Sequence, residues 1–303
     1  MLTRHTITQL IICLTTLHLP VMAYQDCQRA SLLNNQALDL PDERQYYPQQ
    51  KRILNQAIQF CPKHPQAHNN LAHIFEQEQN YTQAIEHYRR AIQAQPKYSN
   101  AWYGLGEVYY KQGRFPLSLE AHLHACQNDP DSKARVIAFL NTNRYAVTEE
   151  GEIIDRESLL VLYARRQNLE RMISDCGLKA SPAMQKHIFR NFQFDSGKPS
   201  LQSGSDRQME EIAAALRNLY NRVVHIHGHT DKQLFKNVSV AESERLNWKL
   251  SQERATTVAH ALDELGVSIT RIKIHAHGHR EPLVSGDNSG AWAQNRRVEI
   301  EVD

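Results

Sequence analysis

The sequence predicts an α+β multidomain protein: an N-terminal all-α solenoid, then a C-terminal βαβαββ two-layer α/β sandwich. Three observations predict it. Pro62, Pro96 and Pro130 recur about 34 residues apart, and Ala57, Ala91 and Ala125 do the same, the mark of a repeated helical hairpin. From about residue 188, short runs alternate apolar and polar residues, the period of a half-buried strand. Between them lie segments with apolar residues at helical spacing.

The chain has 303 residues, 41% hydrophobic and 22% charged, with a formal net charge of +2. That balance is ordinary for a globular protein. The charge is too small to imply nucleic acid or an anionic membrane surface as partner. There is no P-loop, GxGxxG or HExxH. Arg4 and His5 precede an apolar run from Leu10 to Met22, shorter than the roughly 20 residues that span a bilayer. Val21-Met22-Ala23 suits a signal peptidase, so residues 1–23 are expected to be a secretory signal. No Cys follows a lipobox-like triplet, and no later segment reads as membrane-spanning. Cys27, Cys61, Cys126 and Cys176 remain after cleavage. Four cysteines in an exported chain permit two disulfides in three connectivities. Cys27–Cys61 is favoured, because both fall in one helical pair. Four free thiols remain the alternative.

The first half, 24–132, holds the repeats. In 65–98, Leu71, Ala72, Phe75, Ala84, Tyr88, Ala91 and Pro96 take the key places of the pattern. In 99–132, Trp102, Leu105, Gly106, Tyr109, Ala125 and Pro130 do so. A degenerate unit covers 28–64, where only Gln49–Phe60 matches clearly. The pattern resembles tetratricopeptide repeats. Ala72, Ala84 and Gly106 let helices approach, and Phe75, Tyr88 and Tyr109 fill the gaps. Such pairs bury their apolar faces only by stacking. The resemblance implies a concave surface for a protein partner; the competing reading is a spacer or a dimer contact. Residues 133–183 are expected to be a connector, with a hairpin turn in Arg144–Ile154 and one helix over Glu157–Ile173.

The second domain is expected at 184–303. Ile188, Phe192 and Phe194 mark a first strand. Ser205 and Gln208 offer a capping box to a helix striped by Met209, Ile212, Ala213, Leu216 and Leu219. Arg222–His227 is the second strand and Ser251–Leu265 the second helix. Arg271–His277 and Arg297–Val302 complete the order. Alternation aims Val224, Ile226, Ile272, Ile274, Ala276, Val298, Ile300 and Val302 at the helices. It places His225, His227, Lys273, His275, His277, Arg297, Glu299 and Glu301 on a wetter face.

Four motifs in this half, Gly228-His229-Thr230-Asp231, Leu250-Ser251-x-x-Arg254-Ala255, Arg271-Ile272 and Asn295-Arg296-Arg297-Val298-Glu299-Ile300, resemble the OmpA C-terminal-like family. Phe194-Asp195 fits as well. The resemblance covers about 185–303. It implies a periplasmic domain that holds peptidoglycan without a covalent bond, through the diaminopimelate of the stem peptide. It places the main contacts on Asp231 and Arg254, with Thr230, Asn247, Asp195 and Arg296 also in the site. One departure is plain. The family usually has about eight residues from its Asp to its loop Asn, with a Gly between. Here Asp231 and Asn247 are sixteen apart, and 232–246 holds no Gly.

The chemistry stands beside the resemblance. The free end of diaminopimelate carries an ammonium and a carboxylate on one carbon. Asp231, at a strand end, suits the first. Arg254 suits a two-point grip on the second. With Ser251 as N-cap, Arg254 would lie in a first helical turn, where unpaired N–H groups also favour a carboxylate. The competing reading pairs Asp231 with Arg254. His225, His227 and His229 and the run His275, His277 and His279 raise a metal question, but the expected reading is a solvated sheet face with no metal and no cofactor. No catalytic set is evident, so a non-enzymatic tether and adaptor is expected, periplasmic and cell-wall associated, with the outer membrane as a further candidate place. Its partners are peptidoglycan and an unidentified protein on the repeats. The rival is a peptidoglycan-remodelling enzyme or an accessory factor to one.

Overall fold

A computed structural model describes residues 18–149, 152–179, 187–189, 192, 194, 197–201 and 204–303. The chain divides into two compact units, Met1–Val108 and Tyr109–Asp303. Of the expected signal at 1–23, only 18–23 are described, as the start of a helix.

The first unit holds α1 (His18–Leu38), α2 (Tyr47–Phe60), α3 (Pro65–Gln77) and α4 (Tyr81–Ala94). The boundary between units falls inside α5 (Ser99–Lys111). α1 packs on α2, α2 on α3 and α3 on α4. Ala57, Ala72, Ala84 and Ala91 are all fully buried, because each sits where two helices meet. Pro65 opens α3 with no N–H to leave unpaired, and His64 Nδ1 accepts from Ala67 N at 3.1 Å. Tyr88 fills a gap as expected. Its hydroxyl donates to Glu76 at 2.8 Å, and its ring takes the space a Cβ on Gly104 would need. Cys27–Cys61, the favoured pair, is a disulfide with a Cα separation of 4.8 Å. It joins α1 to the residue that ends α2.

The second unit begins with α6 (Phe115–Ala125), α7 (Pro130–Thr142), β1 (Val147–Thr148), α8 (Arg156–Ala164) and α9 (Arg166–Asp175). It continues with β2 (His187–Phe189), α10 (Asp206–Asn218), β3 (Val224–His229), α11 (Val240–Glu264), β4 (Ile272–Gly278), α12 (Ser289–Asn295) and β5 (Val298–Val302). The sheet order is β1-β2-β5-β3-β4. β1 and β2 are parallel, as are β3 and β4, while β5 runs antiparallel to β2 and β3. Cys126–Cys176 closes a second disulfide here. No helix among the described residues is long and apolar enough to cross a membrane.

Several expectations need correction. The centre of the hairpin turn expected in Arg144–Ile154, residues 150–151, lies outside the described residues, and no hairpin pairing occurs among the described ones. Val147–Thr148 instead adds a strand parallel to β2. The single helix at 157–173 is two, broken at Arg165 (φ −111°, ψ 12°). Arg165 reaches Glu120 at 2.7 Å, and the break lets Leu159, Val161, Leu169 and Ile173 all bury fully. The Ser205–Gln208 capping box does not form. Gln208 instead holds Ile154 by its main chain, accepting from N at 2.9 Å and donating to O at 3.1 Å. The inward face of the sheet holds where strands flank it: Val224, Ile226, Val298 and Ile300 are fully buried. It weakens on β4, the edge strand, where Ile274 is 37% exposed.

One buried group gives the unit a pH dependence. His187 on β2 has its Nε2 2.7 Å from Thr148 Oγ1. Burial, reinforced by the charge of Arg144, pushes its pKa down to about 3. The unfolded chain therefore takes up a proton near the ordinary histidine value of about 6.5 while the folded chain does not. Stability is full above that value and declines as pH falls below it. We expect on the order of 2 kcal/mol to be lost between about pH 7 and pH 5, read as a falling thermal midpoint. An unchanged midpoint would show that His187 charges freely in the folded state.

Candidate functional site

The site grows from the end of β3. Gly228 is glycine because α11 crosses there: a Cβ would lie 2.0 Å from the Ser251 carbonyl oxygen. The close approach sets α11 directly over the strand end. Thr230 N then bonds Gly278 O at 2.8 Å, and Ser251 Oγ accepts from Gly278 N at 3.0 Å. These bonds fix the ends of β3 and β4 to α11.

Asp231 follows and is largely buried. Its Oδ1 accepts from Gln233 N at 2.9 Å. Its Oδ2 meets Arg296 Nη1 at 2.8 Å. Asp231 therefore pairs with Arg296, and the simple Asp231–Arg254 pair does not occur. A carboxylate offers about four lone-pair sites, so these two bonds leave capacity for a ligand donor. Arg254 is fully buried. Its Nε donates to Lys198 O at 3.2 Å and its Nη1 approaches His229 O at 3.4 Å. The guanidinium also lies 5.0 Å from the centre of the Phe194 ring. Burial, then the charge of Arg296, lowers its pKa to about 10, opposed by Asp231. It stays charged at neutral pH.

Thr230, Asp231, Asn247, Arg254 and Arg296 line one cavity of about 260 Å³. Asp195 lies outside the described residues. Thr230 Oγ1 is buried without a hydrogen-bond partner. Asn247 Nδ2 donates to Gln233 O at 3.2 Å, so it anchors the loop after Asp231. That loop carries the extra residues, and Gln233, Leu234, Phe235 and Lys236 also line the cavity. Among the described lining residues, Arg254, Arg296 and Lys236 are cationic and Asp231 is anionic.

Two site expectations change. α11 starts at Val240 with Ser239 as its N-cap, so Arg254 lies deep inside the helix. The unpaired N–H groups of a helix start are not beside it, which leaves the guanidinium as the group suited to a carboxylate. Ser239-x-x-Glu242 was the overlooked signal: Ser239 Oγ accepts from Glu242 N at 3.2 Å. The histidine face is also drier than expected. His227, His229, Arg297 and Glu299 are all buried.

Fold and cavity define a two-layer α/β domain with a charged pocket at the strand ends of its sheet, in a chain with helical repeats. Comparisons agree. Residues 193–296 match the model of the OmpA family, and 72–113 match a TPR repeat model. The chain belongs to the OmpA family. A Pseudomonas putida peptidoglycan-associated lipoprotein is 31% identical over 42% of this chain and 69% of its own length. A probable lipoprotein of Escherichia coli, YiaD, is 34% identical over 36% of this chain. The Pseudomonas aeruginosa peptidoglycan-associated lipoprotein is 31% identical over 36%. The chain spans only 47% and 60% of those last two relatives.

Proposed function

We propose that the second unit binds peptidoglycan non-covalently in the cell envelope, through the diaminopimelate of the stem peptide. The single observation carrying this reading is the shared cavity of Asp231 and Arg254. Asp231 receives the ammonium and Arg254 the carboxylate. Thr230 adds a hydroxyl, Arg296 and Asn247 hold Asp231 and its loop in place, and Asp195 is proposed as a further contact. The names of the P. putida and P. aeruginosa relatives support the polymer as ligand.

The repeats serve as a scaffold for a protein partner. A cavity of about 410 Å³ on the first unit, lined by Leu38, Leu40, Leu54 and Ile74 with Asp39 and Asp42, suits a peptide with apolar and basic residues. The domain limits proposed are 24–132 for the repeats and 184–303 for the wall-binding domain. Two disulfides suit an oxidising compartment, which supports export and a periplasmic place. The protein acts as a tether and adaptor, not as an enzyme. The test is co-sedimentation of the full chain with purified peptidoglycan. Wild type is expected to pellet with the polymer, Asp231→Ala and Arg254→Ala to stay largely in solution. Equal pelleting of all three would overturn the reading.

A further inference from the structure

The outer face of the sheet carries a column of imidazoles. Rings alternate between β3 and β4 in the order His225, His275, His227, His277 and His229, with successive centroids 5.1, 4.6, 5.2 and 4.7 Å apart. At the end nearest the cavity the column changes character. His229 is fully buried, and neither ring nitrogen has a partner within hydrogen-bond distance. The closest carboxylate oxygen, Glu299 Oε1, stands 3.6 Å from its Nε2. That oxygen is held by Arg297 at 2.6 Å.

We propose that His229, His277 and Glu281 form a binding site for a borderline divalent transition-metal ion, of which zinc is the representative. One ligand atom from each lies within 4.8 Å of the other two. Around a zinc ion at about 2.1 Å, ligand atoms stand roughly 3.4 Å apart. The remaining closure takes a turn of the His277 ring, which stacks on His229 at 8°, and a swing of Glu281, whose side chain is 55% exposed. Two imidazoles and a carboxylate suit zinc and its neighbours and do not suit magnesium, which prefers oxygen ligands. The fourth position is left to water.

The surroundings fit the role. Metal-bound histidines use their second nitrogen for an orienting hydrogen bond. His277 has that bond: its Nε2 lies 3.0 Å from His227 Nδ1, and His227 Nε2 lies 3.6 Å from Glu301. His277 Nδ1, now 2.8 Å from Glu281 Oε1, is left to face the ion. Binding moves the His277 proton from Nδ1 to Nε2, and His227 turns from donor to acceptor in their shared bond as its own proton passes from Nδ1 to Nε2, on the side of Glu301. An ion here would join the end of β3 to the turn after β4. His229 immediately precedes Thr230-Asp231, so the ion would stiffen the segment carrying the cavity's carboxylate.

The test uses the full chain, stripped with a chelator and dialysed against zinc near neutral pH. One zinc is expected to depend on this site. Glu281→Gln and His277→Gln are each expected to weaken it more than about tenfold. His225→Gln, at the far end of the column, is expected to leave it unchanged. Zinc should also raise the thermal midpoint of wild type but not of Glu281→Gln, an exposed change that leaves folding intact, and magnesium should do neither. No retained zinc, or uptake indifferent to Glu281→Gln and His277→Gln, would overturn the proposal. Because the readout is metal content, the result is independent of wall binding.

Discussion

Gly228→Ala is expected to destabilise the second unit by about 3 kcal/mol, at the upper end of overpacking changes. The added methyl would stand 2.0 Å from the Ser251 carbonyl oxygen and 3.3 Å from the Ala255 Cβ. The first contact is backbone, so no rotamer change relieves it. α11 must move off β3, or β3 must bend. Either motion disturbs the bonds from Ser251 Oγ and Thr230 N to Gly278. It also displaces Arg254 and Asn247, both on α11. Urea unfolding of wild type and variant checks the value. A change below about 0.5 kcal/mol, the range of neutral surface substitutions, would mean that the helix and strand are not packed as described.

The second large effect falls on binding. Arg254→Ala is expected to weaken peptidoglycan binding by about 3 kcal/mol, roughly a hundredfold. The variant would remove the proposed two-point, charge-assisted grip on a carboxylate. Arg254→Lys keeps the charge but not the fork, so it should recover only part of the affinity. That partial recovery separates the role from bulk charge. The buried guanidinium also holds Lys198 O, so each variant must first show native circular dichroism. Wild-type binding by a folded Arg254→Ala would remove Arg254 from the site.

Periodicity and turn chemistry made much of this legible. The recurring prolines and alanines located the helical pairs, because stacking demands small residues at fixed intervals. Alternation located β3, β4 and β5, because one face of each had to be apolar. β1 was illegible because two residues carry no period, and its pairing with β2 is a tertiary event. The start of α11 was misplaced for a different reason. Ser251 looks like a cap by residue type, yet its hydroxyl accepts from Gly278 N across to β4. The helix instead begins at a real Ser239–Glu242 cap inside the extra loop. The Asp231–Arg296 pair at 2.8 Å was hidden too, since sequence shows which charges exist and not which ones meet. Nor did alternation reveal that His229 would be buried; it assigns a face, while burial depends on what covers that face.

The proposed ligand presents an ammonium and a carboxylate together to the cavity of Asp231 and Arg254. The most direct measurement is titration of the full chain with two soluble stem peptides. One ends its branch in diaminopimelate. The other carries lysine there, which keeps the ammonium and lacks the carboxylate. The account predicts binding of the first and at least about tenfold weaker binding of the second, since Arg254 would lose its partner. Equal affinity for both peptides would contradict it.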